Sequence, residues 1–331
     1  MKILVTGCFG FIGFNFINYI FNNHKEEFKV IGIDNLTTNY SKINSKNFIH
    51  KNFEFLNIDI NEIEDSSKTI YTDIDLIINF AAESHVDTSI YQPEKFIYSN
   101  VLGVQRLLQF AYKNKVQNFI HISTDEVYGS SEDKFFGENS ILNPSSPYSA
   151  SKASADMLVN SYKKTFGMDI AILRPANNYG PFQQPEKLIP YSISRLFKNE
   201  KIQIYGKGEN IRHWLFVEDT VRGILNLIEK GSDGEIYNIG SGEYFSNNYI
   251  ATKLLEISNN SEDMIEYIED RPGHDYRYAA DFSKILQTGW QLETNFEEGL
   301  EKTYKWYFDN KDWLFADIEN ILENRKKRFV D

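Results

Sequence analysis

Residues 2–13 read KILVTGCFGFIG, an apolar run followed by a turn with three glycines. Residues 2–6 are typical of a buried strand, and a helical pattern continues from the turn through Phe21. Gly7, Gly10 and Gly13 would let backbone N–H groups and the helix N-terminus approach a pyrophosphate. The stretch therefore predicts the first strand, turn and helix of a dinucleotide-binding fold.

A second strand with an acidic end follows this unit. Residues 29–33 read KVIGI and lead into Asp34, about twenty residues beyond Gly13. A carboxylate at this place binds a ribose 2′-OH and disfavours a 2′-phosphate, so the combination favours NAD over NADP. The alternative interpretation is a glycine turn that only packs a helix on a sheet and binds no ligand.

The alternation of strand and helix patterns continues beyond Asp34. Apolar runs typical of buried strands occupy residues 53–58, 76–80, 119–122 and 170–173, and helical segments lie between them. Strands that alternate with helices imply a parallel sheet covered on both faces. We therefore predict an α/β fold with a Rossmann-type doubly wound parallel sheet, whose ligands bind at the carboxyl ends of the strands.

The alternation breaks after the strand at residues 170–173, which indicates a second unit. We predict an NAD-binding Rossmann domain of residues 1–175, with a returning segment at about 212–240. Residues 176–211 and 241–331 are predicted to form a smaller, interleaved α/β domain that binds the substrate.

Several shorter elements of this second half are predicted from their composition. Residues 181–190 are expected to form a loop, and Ser192–Phe197 a short helix. Trp214–Val217 and Glu235–Ile239 are expected to be strands that return to the sheet domain.

Composition limits the class of protein and its surroundings. The 331 residues carry a net charge of −12, which argues against a general nucleic-acid binder. No apolar run is long enough for a membrane span, and the single cysteine, Cys8, suits a reducing cytoplasm. The six histidines show no metal-ligand spacing, so no metal site is expected.

A tyrosine and a lysine at helical spacing are the candidates for redox chemistry. Tyr148 and Lys152 lie four residues apart, and Pro147 suits the first turn of a helix that starts near Tyr148. A free tyrosine, with a pKa of about 10, is a poor base, but an adjacent ammonium lowers that pKa. Tyr148 could then remove a proton from a substrate hydroxyl while a hydride leaves the same carbon. The alternative is a chance pair on one helix face.

The strand at residues 119–122 leads into three polar side chains, Thr124, Asp125 and Glu126. An apolar strand that ends in such residues delivers a site at the carboxyl edge of a parallel sheet. Two carboxyl groups in one site tend to have separated pKa values and can serve as acid and base. The alternative is an acid pair on the surface after a strand.

At this point the chain resembles the extended short-chain dehydrogenase/reductase superfamily, and within it the dTDP-glucose 4,6-dehydratase family, over nearly its whole length. The strings that carry the resemblance are AAESHVD at 81–87, STDEVYG at 123–129, SPYSASK at 146–152, NNYGP at 177–181, PEKLIP at 185–190, GKGENIR at 206–212 and DRPGHD at 270–275. The resemblance implies an NAD-dependent lyase that forms dTDP-4-keto-6-deoxyglucose and water. Related epimerases and decarboxylases usually lack the adjacent acid pair.

The resemblance implies a role for each catalytic residue. Tyr148, supported by Lys152 and Thr124, would deprotonate the sugar O4 while NAD⁺ takes the C4 hydride. Glu126 would then remove the C5 proton, and protonated Asp125 would assist departure of the C6 hydroxyl as water. Return of the hydride to C6 would complete the reaction.

The resemblance also implies contact residues, carried over position by position. The cofactor contacts would be Gly7, Gly10, Phe11, Ile12, Gly13, Asp34, Asn35, Leu36, Thr37, Asp59, Ile60, Ala81, Ala82, Ser84, Ser99, Tyr148, Lys152 and Asn178. The sugar-nucleotide contacts would be Ser84, Thr124, Asn177, Lys187, Leu188, Gln203, Ile204, Tyr205, Arg212, Asn247, Asp270, Arg271, Pro272, Gly273 and His274. The family also implies a homodimer through helices near 95–113 and 148–164.

Departures from the family pattern leave the substrate open. Cys8-Phe9 replaces the common Gly-Ala and is expected to place a bulky ring near the pyrophosphate turn. Thr88 stands where arginine is usual, and His213 where aspartate is usual. The same dehydration of UDP-glucose or UDP-N-acetylglucosamine is therefore the second hypothesis. A 4-epimerase or decarboxylase and a catalytically silent NAD-binding regulator are the remaining ones.

Overall fold

The computed structural model describes residues 1–24, 27–63, 72–231, 233–270 and 273–327. Its strands are β1 (Lys2–Thr6), β2 (Lys29–Asp34), β3 (Phe53–Asn57), β4 (Leu76–Asn79), β5 (Asn118–Ile122), β6 (Asp169–Pro175), β7 (Asn177–Tyr179), β8 (Ile202–Tyr205), β9 (Ile211–Phe216), β10 (Ile236–Ile239), β11 (Tyr244–Ser246) and β12 (Ile265–Ile268). Its helices are α1 (Phe11–Asn23), α2 (Asn39–Asn47), α3 (Val86–Tyr91), α4 (Pro93–Phe96), α5 (Gly103–Lys113), α6 (Pro147–Phe166), α7 (Leu188–Phe197), α8 (Val217–Lys230), α9 (Asn247–Ser258), α10 (Ser283–Leu286), α11 (Phe296–Asp309), α12 (Lys311–Phe315) and α13 (Ile318–Lys327).

A parallel sheet of seven strands forms the larger part of the molecule, in the order β10-β6-β5-β4-β1-β2-β3. Strands β1 and β4 are buried almost throughout, because helices cover both faces of the sheet. The strand order reverses between β1 and β4, and this reversal opens a crevice at their carboxyl ends. The predicted Rossmann-type doubly wound fold is confirmed.

Two apolar cores fix the helices on the sheet. On one face, α1 and α8 contribute buried side chains such as Ile17 and Ile224. On the other face, α5 and α6 contribute Leu107 and Val159. Both helices of each pair are held over the strands whose ends form the crevice.

The helical region from Pro93 to Lys113 contains an irregular middle. Residues Ile97–Leu102 form a π-helical segment between α4 and α5. Such segments occur often at functional sites, and this one carries Ser99 at the edge of the crevice.

The second unit is built from two small sheets and the helices around them. One sheet has the order β11-β9-β7, and in the other β12 pairs in parallel with β8. Of the two strands expected to return, Ile236–Ile239 joins the large sheet, whereas Ile211–Phe216 pairs with β7 and β11 in a small sheet of the second unit. The division into residues 1–175 with 212–240, and 176–211 with 241–331, stays a prediction.

The predicted loop at 181–190 is wrong at its carboxyl end, because α7 begins at Leu188 rather than Ser192. Pro190 is the third residue of this helix, where its missing N–H would have no partner in the helix anyway. The proline therefore lies inside the first turn instead of preceding the helix. Among the residues that the structure describes, no helix is both long and apolar enough to cross a membrane.

Candidate active site

Two adjoining cavities lie at the crevice. The switch-point cavity follows the carboxyl ends of β1, β2 and β4, and Gly10, Asp34 and Ala82 are among its lining residues. The cleft cavity lies between the large sheet and the second unit, and Glu126 and Arg212 are among its lining residues. Glu186 and Lys187 border both, so a ligand in one cavity can reach a ligand in the other.

The glycine turn can pack this tightly against β4 and the start of α1 only because its residues lack a Cβ. Gly7 has φ 63°, and a Cβ there would lie 2.7 Å from the backbone nitrogen of Ala81. A Cβ on Gly13 would overlap the carbonyl oxygen of Gly7. The helix N-terminus at Gly10 carries no side-chain cap, so its N–H groups face the switch-point cavity. This cradle fits the pyrophosphate of NAD.

The expected bulky ring at the pyrophosphate turn is wrong. Phe9 is 1% exposed and packs edge-on against Phe55, with ring centroids 4.9 Å apart. Only its backbone faces the turn, where its N–H donates to Asp34 Oδ2 at 3.0 Å. Asp34 also accepts from the N–H of Leu36 at 2.8 Å, so its carboxylate is fixed at the end of β2. The side chains of Cys8 and Phe9, which replace the common Gly-Ala, are thus buried in the core.

Most predicted cofactor contacts lie together. Those that line the switch-point cavity are Gly7, Gly10, Phe11, Ile12, Gly13, Asp34, Asn35, Thr37, Asp59, Ile60, Ala81, Ala82, Ser84 and Ser99. Asn178 lines the cleft cavity instead, while Leu36, Tyr148 and Lys152 line neither. Gln184 and Ser41 also line the switch-point cavity, but they lie outside the motifs, so no sequence pattern pointed to them.

Helix α6 delivers the tyrosine and lysine to the crevice, as their spacing predicts. The helix begins at Pro147, and Ser146 and Ser149 cap it reciprocally through their side chains and backbone N–H groups. Tyr148 and Lys152 are 8% and 3% exposed. The Tyr148 hydroxyl hydrogen-bonds to the side chain of Thr124, and Lys152 Nζ donates to the carbonyl of Ile122 at 2.7 Å.

The expected lowering of the tyrosine pKa is wrong for this structure. Burial raises the pKa of Tyr148, the charges of Glu126 and Asp156 add to the rise, and the hydrogen bond to Thr124 opposes it. Burial also lowers the pKa of Lys152 to about 8. The ammonium binds the carbonyl of Ile122, so the field that Tyr148 meets is dominated by low polarity and carboxyl groups.

Asp125 follows β5 in a short 3₁₀ turn, and its carboxyl group is deeply buried. The residue is 2% exposed, and within the described part of the chain neither carboxyl oxygen has a hydrogen-bond partner. Burial raises the pKa of Asp125 well above its ordinary value, and Glu126 raises it further, while Arg212 opposes the rise. The raised pKa favours the protonated form of this carboxyl group, which can donate a proton.

Glu126 has a different environment from its neighbour. Its side chain lines the cleft cavity, and its Oε2 lies 3.4 Å from the hydroxyl of Tyr278. The same hydroxyl donates to Asp275 Oδ2 at 2.7 Å, and the guanidinium of Arg212 lies 4.5 Å from the centroid of the Tyr278 ring. One acid is therefore enclosed and has a raised pKa, while the other faces the space available to a substrate.

The predicted sugar-nucleotide contacts are largely brought together. Those that line the cleft cavity are Asn177, Lys187, Leu188, Gln203, Tyr205, Arg212, Asn247 and His274. Ser84 lines the switch-point cavity, Thr124 lies behind Tyr148, and Ile204 is buried in the core of the second unit.

Of the described residues predicted in the DRPGHD string, only His274 lines the cleft cavity. Asp270 and Gly273 do not line the cleft cavity, although Asp270 Oδ1 lies 2.6 Å from Nδ1 of His274, which does. Arg271 and Pro272 lie outside the described residues. Within the described ranges, no group of three or more His, Cys, Asp or Glu side chains is arranged to hold a metal ion.

Nine lining residues of the cleft cavity were not among the predicted contacts, namely His85, Val86, Asp87, Gln183, Glu186, Ile189, Tyr191, Trp214 and Tyr278. Asp87 is 8% exposed, and its Oδ2 accepts from the hydroxyl of Tyr205 at 3.2 Å. Asp87 ends the AAESHVD string, so its position in that motif was an available signal. Tyr278 follows the DRPGHD string by three residues and could have been found in the same way.

Thr88 and His213, the two other departures from the family pattern, lie outside the cavities. Thr88 bonds to the imidazole of His85 at the start of α3. His213 is fully buried, and its ring stacks on Tyr244 with centroids 4.4 Å apart. Gly240 leaves no room for a Cβ beside that ring, so His213 fills space in the core.

The fold, glycine cradle and Tyr148–Lys152 pair define an NAD-dependent enzyme, and the adjacent acid pair is what dehydration requires. The chain belongs to the family described as GDP-mannose 4,6 dehydratase, whose model matches residues 4–303. It is thus an NAD-dependent enzyme of nucleotide-sugar 4,6-dehydration, a lyase of the epimerase/dehydratase superfamily.

Individual relatives support this placement. The low-salt glycan biosynthesis protein Agl12 of Haloferax volcanii is 44% identical over 313 residues, covering 94% of this chain and 100% of the relative. A dTDP-glucose 4,6-dehydratase of Escherichia coli is 40% identical over 347 residues, covering 95% of each chain. The crystal structure of DesIV, a dTDP-glucose 4,6-dehydratase of Streptomyces venezuelae with NAD and TYD bound, superposes with a TM-score of 0.90 at 38% identity, covering 95% and 98%.

Asp125→Asn is expected to stabilise the protein at neutral pH. Above the ordinary pKa of an aspartate, the unfolded chain releases a proton that the folded protein keeps on Asp125, so this carboxyl lowers stability as pH rises. The gain in unfolding free energy should be small at about pH 4.5 and exceed about 1.4 kcal/mol at about pH 7.5 in urea titrations.

Asp219→Asn is the matched control for this prediction. Asp219 is also fully buried, but its Oδ1 accepts from Arg222 Nη2 at 2.6 Å and from the N–H of Glu293 at 2.9 Å. Loss of that carboxylate should destabilise the protein. An Asp125→Asn variant that is less stable than the parent at neutral pH would contradict the assignment of a neutral, buried acid.

Proposed function

We propose that the protein is a dTDP-glucose 4,6-dehydratase, which forms dTDP-4-keto-6-deoxyglucose and water. The observation that carries the proposal is the acid pair beside the redox tyrosine, with Asp125 enclosed and Glu126 facing the cleft cavity. An enzyme that only oxidises and reduces C4 has no use for a second acid and base. The similarity to relatives of that name supports dTDP-glucose as the substrate.

In the first half of the reaction, Tyr148 accepts the proton of the sugar O4 hydroxyl. Thr124, hydrogen-bonded to the phenol, orients it, and the role proposed for Lys152, whose Nζ donates to the carbonyl of Ile122, is to favour the phenolate through its positive charge. When bound in the switch-point cavity, NAD⁺ supplies a hydride acceptor for C4 and later the hydride donor for C6. The product of this half is a 4-ketone, which makes the C5 proton acidic.

In the second half of the reaction, one carboxyl group acts as the base and the other as the acid for the elimination of water. Glu126 takes the C5 proton, and Asp125 gives its proton to the C6 hydroxyl as the C6–O bond breaks and water leaves. Hydride addition at C6 and protonation at C5 then complete a 4-keto-6-deoxy sugar. The enclosure of Asp125 supports the donor role, because burial raises the pKa of Asp125 and so favours its protonated form.

The remaining polar residues of the cleft cavity are proposed to bind the nucleotide diphosphate. Arg212 and Lys187 provide cations for phosphate oxygens. Arg212 is oriented by the backbone carbonyls of Ile211 and Asp275, at 2.8 and 3.0 Å. Asn177 and Asn247 provide amides for sugar or phosphate oxygens, while contacts by Asp270, Arg271, Pro272 and Gly273 stay predictions.

The same dehydration of a UDP-sugar is the second candidate, favoured by the high similarity to a glycan biosynthesis protein whose name specifies no substrate. Mass spectrometry after separate incubation with dTDP-glucose, UDP-glucose and UDP-N-acetylglucosamine distinguishes them. We expect loss of one water from dTDP-glucose and at least about tenfold slower loss from the UDP-sugars, as mismatched base contacts would cost at least 1.4 kcal/mol. Preferential loss from a UDP-sugar would overturn the choice of substrate.

Glu126→Gln and Asp125→Asn should fail at different steps. With Glu126→Gln, oxidation at C4 should proceed, but solvent deuterium should not enter at C5, because the base is missing. With Asp125→Asn, deuterium should enter at C5 while water loss slows by about a hundredfold or more. Absorbance of reduced nicotinamide and mass spectrometry of the recovered sugar measure these steps. Unchanged turnover in either variant would refute that residue's role.

We also propose a homodimer formed through α5, α6 and the preceding π-helical segment. Tyr98, Leu102 and Met157 are 50%, 37% and 63% exposed on these elements. Tyr112 of α5 and Phe166 of α6 are also exposed, and their rings lie 4.4 Å apart. Large exposed apolar side chains on two adjoining helices are typical of a protein interface.

Light scattering should give twice the mass of one chain, and Met157→Lys should shift the protein toward the monomer. A lysine at an apolar interface must be desolvated without a partner, which weakens association by about 1–3 kcal/mol or more. Ile49→Lys is the control, since Ile49 is 92% exposed on a different surface. A parent protein that is monomeric at all accessible concentrations would contradict the proposal.

We further propose that the enzyme works in the cytoplasm. The single cysteine, Cys8, is a buried free thiol. That usage suits a reducing compartment, where disulfides do not contribute to stability.

A further inference from the structure

Four ionisable side chains form a buried cluster beneath Tyr148, and three of them have no part in the reaction described above. His121 lies on β5, Lys152 and Asp156 on α6, and Arg174 on β6. Each is at most 3% exposed. Charged groups are costly to bury, so a cluster of this kind at a catalytic site calls for a functional explanation.

Asp156 is at the centre of this cluster. Its Oδ2 accepts from Arg174 Nε at 2.8 Å, and its Oδ1 lies 3.9 Å from His121 Nε2. Asp156 follows Lys152 by four residues on α6, so the two side chains lie on the same face of the helix. The carboxylate is thus held by Arg174 of β6 and lies one helical turn from Lys152 on α6.

Arg174 is itself fixed from the far side. Its Nη1 donates to the hydroxyl of Tyr128 at 2.6 Å and to the carbonyl of Glu138 at 3.2 Å. The Tyr128 hydroxyl donates to Asn238 Oδ1 at 2.8 Å. The guanidinium therefore cannot move without breaking several buried hydrogen bonds, and it fixes Asp156 in turn.

His121 does not add a charge to the cluster. Asn79 accepts from the Thr6 hydroxyl at 2.6 Å through Oδ1, so its Nδ2 donates to His121 Nδ1 at 3.0 Å. The imidazole is then the neutral form with its proton on Nε2, facing Asp156. Burial and the cations of Lys152 and Arg174 lower the pKa of His121 well below its ordinary value.

We propose that Asp156 is a positioning residue for the reaction, whose carboxylate keeps the buried Lys152 ammonium charged at working pH and directed beneath Tyr148. The proposal rests on the dehydratase reaction proposed above. Lys152 and Arg174 are two cations, and without Asp156 no carboxylate of the cluster would offset them. Arg174 serves the same end indirectly, by fixing the orientation of the carboxylate.

The charge balance explains why Lys152 needs this support. Burial lowers the pKa of Lys152 to about 8, and the charge of Asp156 is what opposes a further fall. The other ionisable groups near it are His121 and Arg174 on the sheet side, Tyr148 on its own helix, and Asp125 and Glu126 after β5. A lysine is charged below its pKa, so activity that needs the ammonium is lost as pH rises through that value.

Asp156→Asn tests the proposal with little change in shape. The alkaline limb of kcat should move to lower pH by about one unit, because removal of an opposite charge one helical turn away from a buried cation lowers the pKa of that cation by about this amount. At about pH 8, kcat should fall about fivefold to tenfold, and KM should change less than about twofold, because Asp156 lines neither cavity.

A second measurement needs no turnover. Between about pH 8 and its unfolded value of 10.5, folded Lys152 has released a proton that the unfolded chain still binds, so the unfolding free energy rises with pH. The contribution of Lys152 is obtained by subtracting the unfolding free energy of Lys152→Met from that of the parent at each pH. The same subtraction is made between Asp156→Asn and the double variant Asp156→Asn/Lys152→Met. In the Asp156→Asn background the rise should begin about one pH unit lower. This readout decides the inference even if no tested sugar is dehydrated.

Two further variants separate charge from structure. Asp156→Glu keeps the carboxylate and should leave the alkaline limb near its parental pH. Asp219→Asn breaks another buried Asp–Arg pair, with Arg222, and should lower stability without moving the limb. The proposal would be overturned if, in Asp156→Asn, both the alkaline limb of kcat and the rise in unfolding free energy stayed at the pH found for the parent. If Asp156→Asn does not fold, the test uses Asp156→Glu, which keeps the carboxylate. An alkaline limb of kcat displaced by one pH unit in Asp156→Glu would then overturn the proposal.

Discussion

Removal of ionisable groups from water at the carboxyl edge of β5 is the constraint on which the site depends. Burial holds a proton on Asp125, lowers the pKa of Lys152 to about 8 and keeps His121 neutral. The same effect raises the pKa of Tyr148 above its ordinary value, so the phenol needs help from its surroundings to act as a base. The reaction is thus prepared by an arrangement that costs stability, as is common at active sites.

The sequence was most informative where local pattern and fold coincide. The strand–glycine–helix unit at residues 2–13, the acid at Asp34 and the apolar runs predicted the parallel sheet and its crevice. Family strings then located the two cavities, because each string lies at the end of a strand or the start of a helix. Patterns of this kind are formed by residues that are close in sequence, so they can be recognised without the structure.

Features that depend on distant contacts were not predictable in the same way. The start of α7 was missed because a proline in the first helical turn looks like a loop residue in sequence. Asp156 and Arg174 are 18 residues apart, and only the pairing of α6 with β6 reveals that they meet. The pKa of Tyr148 was predicted in the wrong direction because spacing shows a neighbouring lysine but not the burial that outweighs it.

The central claim is that one site oxidises, dehydrates and reduces the same sugar. The direct measurement uses dTDP-glucose with deuterium at C4 and locates the label in the product by NMR. The account predicts loss of one water and transfer of the deuterium from C4 to the C6 methyl group. Return of the label to C4 with no loss of water would show an epimerase-like reaction and contradict the account.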